Sequence, residues 1–125
     1  TDQSQAEWDK ALALLNGFDL KLGMEDLKST LNRARTLGPK VGSVGYCLGG
    51  KLAFLMATQT DADANVSFYG IQLDEYADDA PNIKKPLLMH VAALDKFFPA
   101  EKQQVILDAV KSNPNVSAHV YEGVD

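Results

Sequence analysis

Cys47 is the single cysteine of this 125-residue chain, and it stands in Gly45-Tyr46-Cys47-Leu48-Gly49-Gly50. A reactive side chain with glycines two residues before and two after suits a sharp strand-to-helix turn, where neighbouring Cβ atoms would collide. By this reading Gly45 and Gly49 are the residues that permit the turn. A thiol at a helix N-terminus has a dipole and free N–H groups that favour the thiolate. The N–H of Leu48, the next residue, is placed to donate to an oxyanion. The chemistry on offer is nucleophilic attack on a carbonyl, giving an acyl-enzyme. The competing reading is a small buried thiol, because free cysteines are usually buried and inert. That plainer turn could also cradle a phosphate; against this, neither G-x-G-x-x-G nor G-x-x-x-x-G-K-[ST] is present.

Such a turn needs a strand before it and a helix after it. Residues 41–46 read as the strand and 48–58 as the helix. Upstream, Ala6, Ala11, Leu12, Leu14 and Leu15 recur at helical spacing over 4–16, with Ser4 as a cap. A second helix is predicted over 23–37, with Met24, Leu27, Leu31 and Ala34 on one face and Gly38-Pro39 ending it. Downstream, 64–69 reads as a short strand and 70–85 as an acidic loop with one short helix. Residues 86–92 form a continuous apolar run, the mark of a strand buried on both faces. A helix over 99–111 and a strand over 116–121 close the pattern, with Pro99 near the helix start. Strands alternating with helices predict an α/β fold with a parallel sheet covered on both faces, in three layers. Active groups in such sheets gather at the C-terminal strand ends. Cys47, Tyr69, Asp95 and Gly123 each follow or end a strand there.

Apolar residues make up 46% and charged residues 23%, which is ordinary globular composition for one domain. A net charge of −5 argues against nucleic acid as a partner. No apolar run reaches the roughly 18 residues of a membrane span, so no membrane partner is expected. One cysteine excludes an internal disulfide, and a working thiolate suits a reduced, cytoplasmic setting.

Val44 to Gly50, continuing into Lys51-Leu52-Ala53-Phe54, resembles the nucleophile segment of the dienelactone hydrolase family, α/β-hydrolases with a cysteine nucleophile. Ser67-Phe68-Tyr69-Gly70 resembles the family's aromatic-Tyr-Gly strand end, and Leu94-Asp95-Lys96-Phe97-Phe98-Pro99 its acid loop. Val120-Tyr121-Glu122-Gly123-Val124-Asp125 resembles the strand and turn that lead into its catalytic histidine. The resemblance implies an α/β-hydrolase fold, represented by the later strands of its sheet. It implies a single domain over 1–125, truncated at both ends, with Thr1 an internal position and the general-base histidine just beyond Asp125. The implied activity is cleavage of small esters or lactones by Cys47, with Asp95 orienting the histidine, Leu48 in the oxyanion hole and Tyr69 binding substrate.

Each of these residues has a plainer alternative. Asp95 also reads as a turn or capping aspartate ahead of Pro99, and Tyr69 as a strand-end aromatic packed on the helix after Cys47. His90 reads as a core or sheet-face residue, and His119 lies inside the last strand, so neither fits the general base. Without that base, turnover by residues 1–125 alone is expected to be impaired. Lys51 and Lys96 read as solvated surface charges. Asp74, Glu75, Asp78 and Asp79 read as a solvated loop and not a metal site, since their spacing fits no EF-hand. No metal and no cofactor are expected. Two other functions fit the sequence: a non-catalytic relative that binds a small anion, and a flavodoxin-like domain with a redox-sensing thiol. If the earlier strands are absent, the strand before Cys47 is bare, and self-association along that edge is expected.

Overall fold

The computed structural model describes residues 4–125, so the reading of Thr1 falls outside it. Ser4 caps α1 (Gln5–Asn16) by accepting the Glu7 N–H at 3.4 Å, as the sequence suggests. α2 (Leu20–Arg35) begins earlier than predicted because the Asp19 carboxylate accepts the Leu22 N–H at 3.0 Å and caps the helix there. The chain continues through β1 (Gly42–Tyr46), α3 (Leu48–Gln59), β2 (Ala64–Phe68), a 3₁₀ run (Leu73–Asn82), β3 (Leu87–Ala92), α4 (Ala100–Val110) and β4 (Val116–Tyr121). The four strands are all parallel and lie in the order β1-β2-β3-β4. The mixed α/β class and the parallel sheet match the sequence reading.

One apolar core joins the helices to the sheet. Met24 and Leu31 of α2, Phe54 and Leu55 of α3, and Ile106 and Val110 of α4 share a cluster with Leu87 and Met89 of β3. Phe54 is wholly buried, and burial of a side chain that size contributes about 1.5–3 kcal/mol. The opposite sheet face carries no helix among the described residues. Val44 and Tyr46 of β1 are exposed there, and Leu88 and His90 of β3 are half-buried. β3 therefore alternates between a buried and a partly open face, where its apolar composition predicted burial on both. The period-2 geometry of a strand, not residue type, decides which side each residue meets.

α1 buries none of its residues, and Leu14 on its apolar side is exposed. The start of β1 is fixed to β2 by Asp63, which accepts the Val41 N–H at 2.8 Å and faces Arg35 at 3.4 Å. That backbone bond, with Lys40 and Arg35 adding, holds the Asp63 carboxyl below its ordinary value against the opposing effect of burial. The acidic stretch is not a solvated loop throughout. Asp74 is largely shielded and pairs with Lys102 at 3.6 Å, which pins the 3₁₀ run to α4. Asn113 closes the other end, donating to the Ala80 and Ile83 carbonyls at 3.0 and 3.1 Å.

Candidate functional site

Cys47 occupies a one-residue turn between β1 and α3, with φ 55° and ψ −116°. Residues with a side chain rarely adopt that conformation, and holding one there costs about 1–3 kcal/mol. The surroundings enforce it. The Cys47 N–H donates to the Phe68 carbonyl at 3.0 Å, and its own carbonyl accepts the Lys51 N–H at 3.1 Å. The glycines serve differently from the sequence reading. A Cβ on Gly45 would collide with the Gly49 carbonyl, and one on Gly50 would lie 2.6 Å from the Phe68 oxygen and 2.8 Å from Gly70 Cα. Gly49 itself faces open space, so Gly50 and not Gly49 is the second residue the close approach demands. Ser67, buried under the turn, donates to the Gly50 carbonyl at 2.8 Å and anchors the start of α3 to β2. Leu48 opens α3, where the first N–H groups of a helix have no intrahelical acceptor.

The other singled-out residues sit at the same edge of the sheet, because all four strands run the same way. Tyr69 follows β2 with φ 38°, and its N–H donates to the His90 carbonyl at 2.7 Å. Its ring is exposed and tilts against Tyr46 at 6.1 Å. Asp95 follows β3, and its Oδ1 accepts the Phe97 N–H at 2.8 Å, a turn bond of the kind the plainer reading describes. Tyr69 and Asp95 line one crevice of about 10 Å³, room for about a single water. Gly123, at φ 74°, turns the chain after β4, and the Leu94 N–H donates to the Val124 carbonyl at 2.9 Å. That bond ties the final turn to the Asp95 loop.

His90 lies on the open sheet face, one of the places the sequence allowed for it. Its Nδ1 is 2.8 Å from the Tyr121 hydroxyl. Tyr46, Phe68, His90 and His119 occupy one cross-strand row. Their neighbouring ring centroids are 5.0, 4.4 and 6.0 Å apart along it. Sequence reasoning missed this row, although its signal was present: each member sits on the same pleat of its strand. A cavity of about 240 Å³ opens beside it, walled by Phe68, Tyr69, His90 and Tyr121.

Lys51 departs most from expectation. It is buried, not solvated. Its Nζ donates to Gln72 Oε1 at 2.8 Å, lies 5.2 Å from the Tyr76 ring centroid and faces Glu75 at 3.9 Å. Burial raises the Tyr76 hydroxyl above its ordinary value, with Glu75 and then Asp79 adding to the effect. Gln72 takes a left-handed conformation at φ 55°. Among the described residues the non-glycine ones with positive φ are Cys47, Tyr69 and Gln72; Cys47 precedes α3 and Gln72 bonds Lys51 within it. Among the described residues no three acidic, histidine or cysteine side chains group as a metal site, and no helix is long and apolar enough to cross a membrane.

The profile of the dienelactone hydrolase family matches residues 2–125. A protein of Azospirillum brasilense is 47% identical over 134 residues, which cover all of this chain and 55% of that protein. The carboxymethylenebutenolidase of Pseudomonas putida is 37% identical over 123 residues, covering 96% of this chain and 52% of the enzyme. The chain therefore spans about half the length of the curated relatives it matches. Among solved structures, a Klebsiella pneumoniae protein aligns with a TM-score of 0.70 at 23% identity, over 80% of this chain and 47% of that one. An esterase of Pyrococcus furiosus aligns with a TM-score of 0.67 at 20% identity, over 80% and 52%. At such identities these structures speak for the fold alone, and the fold is that of the α/β-hydrolases.

Proposed function

The chain belongs to the dienelactone hydrolase family, and from that premise we propose that it carries the nucleophile half of a hydrolase for small carboxylic esters or lactones. Cys47 attacks the carbonyl as thiolate, and the oxyanion that forms accepts the Leu48 N–H. The intermediate collapses with cleavage of the C–O bond, the leaving oxygen taking a proton from the imidazolium (an ester's alcohol departs, a lactone's stays tethered). Water deprotonated by the imidazole then cleaves the thioester and returns the thiolate. Asp95 orients the imidazole that serves as general base. His90 is engaged with Tyr121 and His119 sits within β4; the base assigned here, on the resemblance to the family alone, is the histidine that follows the Glu122-Gly123 turn in its members. Tyr69, at the rim of the crevice it shares with Asp95, contacts the substrate.

The observation that carries this reading is the backbone at Cys47. A side-chain-bearing residue is held at φ 55°, ψ −116° between a parallel strand and a helix N-terminus. Strain of that kind concentrates where a reactive group must stand clear of a sheet. Family membership and fold set aside the flavodoxin-like alternative. The non-catalytic alternative is separated by kinetics. p-Nitrophenyl acetate hydrolysis by the protein containing this chain should fall roughly 10³-fold or more in Cys47→Ala and in Asp95→Asn. Ligand binding with no turnover in the unmodified protein would defeat the proposal.

A further inference from the structure

Gln103, in the first turn of α4, is only 4% exposed. A carboxamide taken out of water has to recover its lost hydration in hydrogen bonds. Here its Nε2 donates to the Ala92 carbonyl at 2.9 Å and to the Phe98 carbonyl at 2.7 Å. Both partners are carbonyl oxygens, which only accept, so the amide nitrogen has to face them. Ala92 ends β3, and Phe98 is buried on the far side of the loop, three residues before and three after Asp95. One side chain thus spans the loop that carries Asp95.

Little else holds that loop. Its own closing bonds, from the Asp95 N–H to the Ala92 carbonyl and from the Phe98 N–H to the Asp95 carbonyl, measure 3.2 and 3.4 Å. An ordinary N–H···O bond is about 2.9–3.0 Å. Leu94 and Phe97 are 60% and 56% exposed, so apolar packing does not fix the loop either. The bond from the Leu94 N–H to the Val124 carbonyl secures the side nearer β3 and leaves the other to Gln103. The Phe97 N–H takes Asp95 Oδ1, so the carboxylate follows the loop backbone, and Oδ2 is left for an imidazole.

We infer that Gln103 is a positioning residue for the reaction. By holding both ends of the loop it sets the direction of the Asp95 carboxylate, without itself touching the reacting atoms. That this direction serves catalysis rests on the hydrolase reading; that Gln103 holds the loop does not.

Gln103→Met keeps the length of the side chain and removes both donors. In the protein containing this chain, kcat for p-nitrophenyl acetate should fall about tenfold or more, with KM changed less than about twofold. The loss should vanish in an Asp95→Asn background, where nothing remains to be positioned. Gln104→Met, at the exposed neighbour that bonds Asp108, should leave kcat unchanged in both backgrounds. Mere destabilisation lowers kcat by the same factor with and without Asp95, and that result would overturn the inference. So would an unchanged kcat in Gln103→Met where Asp95→Asn lowers it. If Gln103→Met does not fold, Gln103→Asn, too short to span both carbonyls, makes the same comparison. Amide hydrogen exchange reads the loop apart from the chemistry. The Asp95 and Phe97 amides should exchange about tenfold faster in Gln103→Met, and unchanged exchange would overturn the inference. Faster exchange with turnover indifferent to Asp95→Asn would sink the hydrolase reading and leave Gln103 as the brace of the loop. Turnover that needs Asp95, in a loop indifferent to Gln103, would do the reverse.

Discussion

Replacing Cys47 by glycine should stabilise the fold relative to replacing it by alanine, by more than the ordinary preference of a helix N-cap for glycine. Both variants lose the thiol, so their difference isolates the backbone. Alanine must still adopt φ 55°, ψ −116°, a cost of about 1–3 kcal/mol. Glycine enters that region freely but loses about 0.5–1 kcal/mol more chain entropy on folding. The net is about 1 kcal/mol in favour of glycine, or a rise of roughly 3–5 °C in Tm for a chain of this size. Urea unfolding of Cys47→Gly and Cys47→Ala measures it. Glycine is also somewhat better than alanine at any helix N-cap, so the same pair at Asp19 is the control. Asp19 caps α2 at φ −83°, and the difference there should be clearly smaller. An alanine variant as stable as the glycine one, or equal differences at both positions, would refute the claim that the turn at Cys47 is strained.

Gly50→Ala should cost about 3 kcal/mol, because its Cβ meets the backbone of Phe68 and Gly70 at 2.6–2.9 Å and backbone cannot step aside as a side chain can; denaturant unfolding would show it, and Gly49→Ala should be near neutral beside it. The Val41 N–H holds the Asp63 carboxyl below its ordinary value, so its contribution is present above about pH 4 and fades as pH falls through the lower folded value. Wild-type stability should therefore drop over that acid range while Asp63→Asn, weaker at neutral pH, stays flatter; parallel curves from pH 5 to 3 would count against it. β1 pairs only with β2 among the described residues and shows Val44 and Tyr46 on its bare face, so residues 1–125 alone should self-associate in sedimentation. Tyr46→Lys should reduce that association, and a monomer at all concentrations would exclude it.

The strands were legible because short runs of apolar and β-branched residues between Gly, Pro and Asp leave little choice of element or of direction in the sheet. The turn at Cys47 was legible too, since glycines around a reactive residue mark a close approach. Which glycine mattered was not: Gly50 is crowded by Phe68 and Gly70, some twenty residues further on in the chain. The same limit hid Lys51. Its burial depends on Gln72, Glu75 and Tyr76 folding over it from the 3₁₀ run, a long-range event that a lysine after two glycines does not announce. The early start of α2 was readable in principle, for Asp19 is an ordinary N-cap. The alternation of β3 was masked by its composition, as an apolar residue on an open face looks the same in sequence as one in the core.

The proposed hydrolysis requires Cys47 to carry the acyl group. Intact-mass spectrometry of the protein containing this chain, quenched early in reaction with p-nitrophenyl acetate, reads this directly. One acetyl group should appear, map to the peptide containing Cys47, and be absent from Cys47→Ala while that variant keeps its fold. Acetylation elsewhere with Cys47 left free, during turnover that Cys47→Ala sustains, would contradict it.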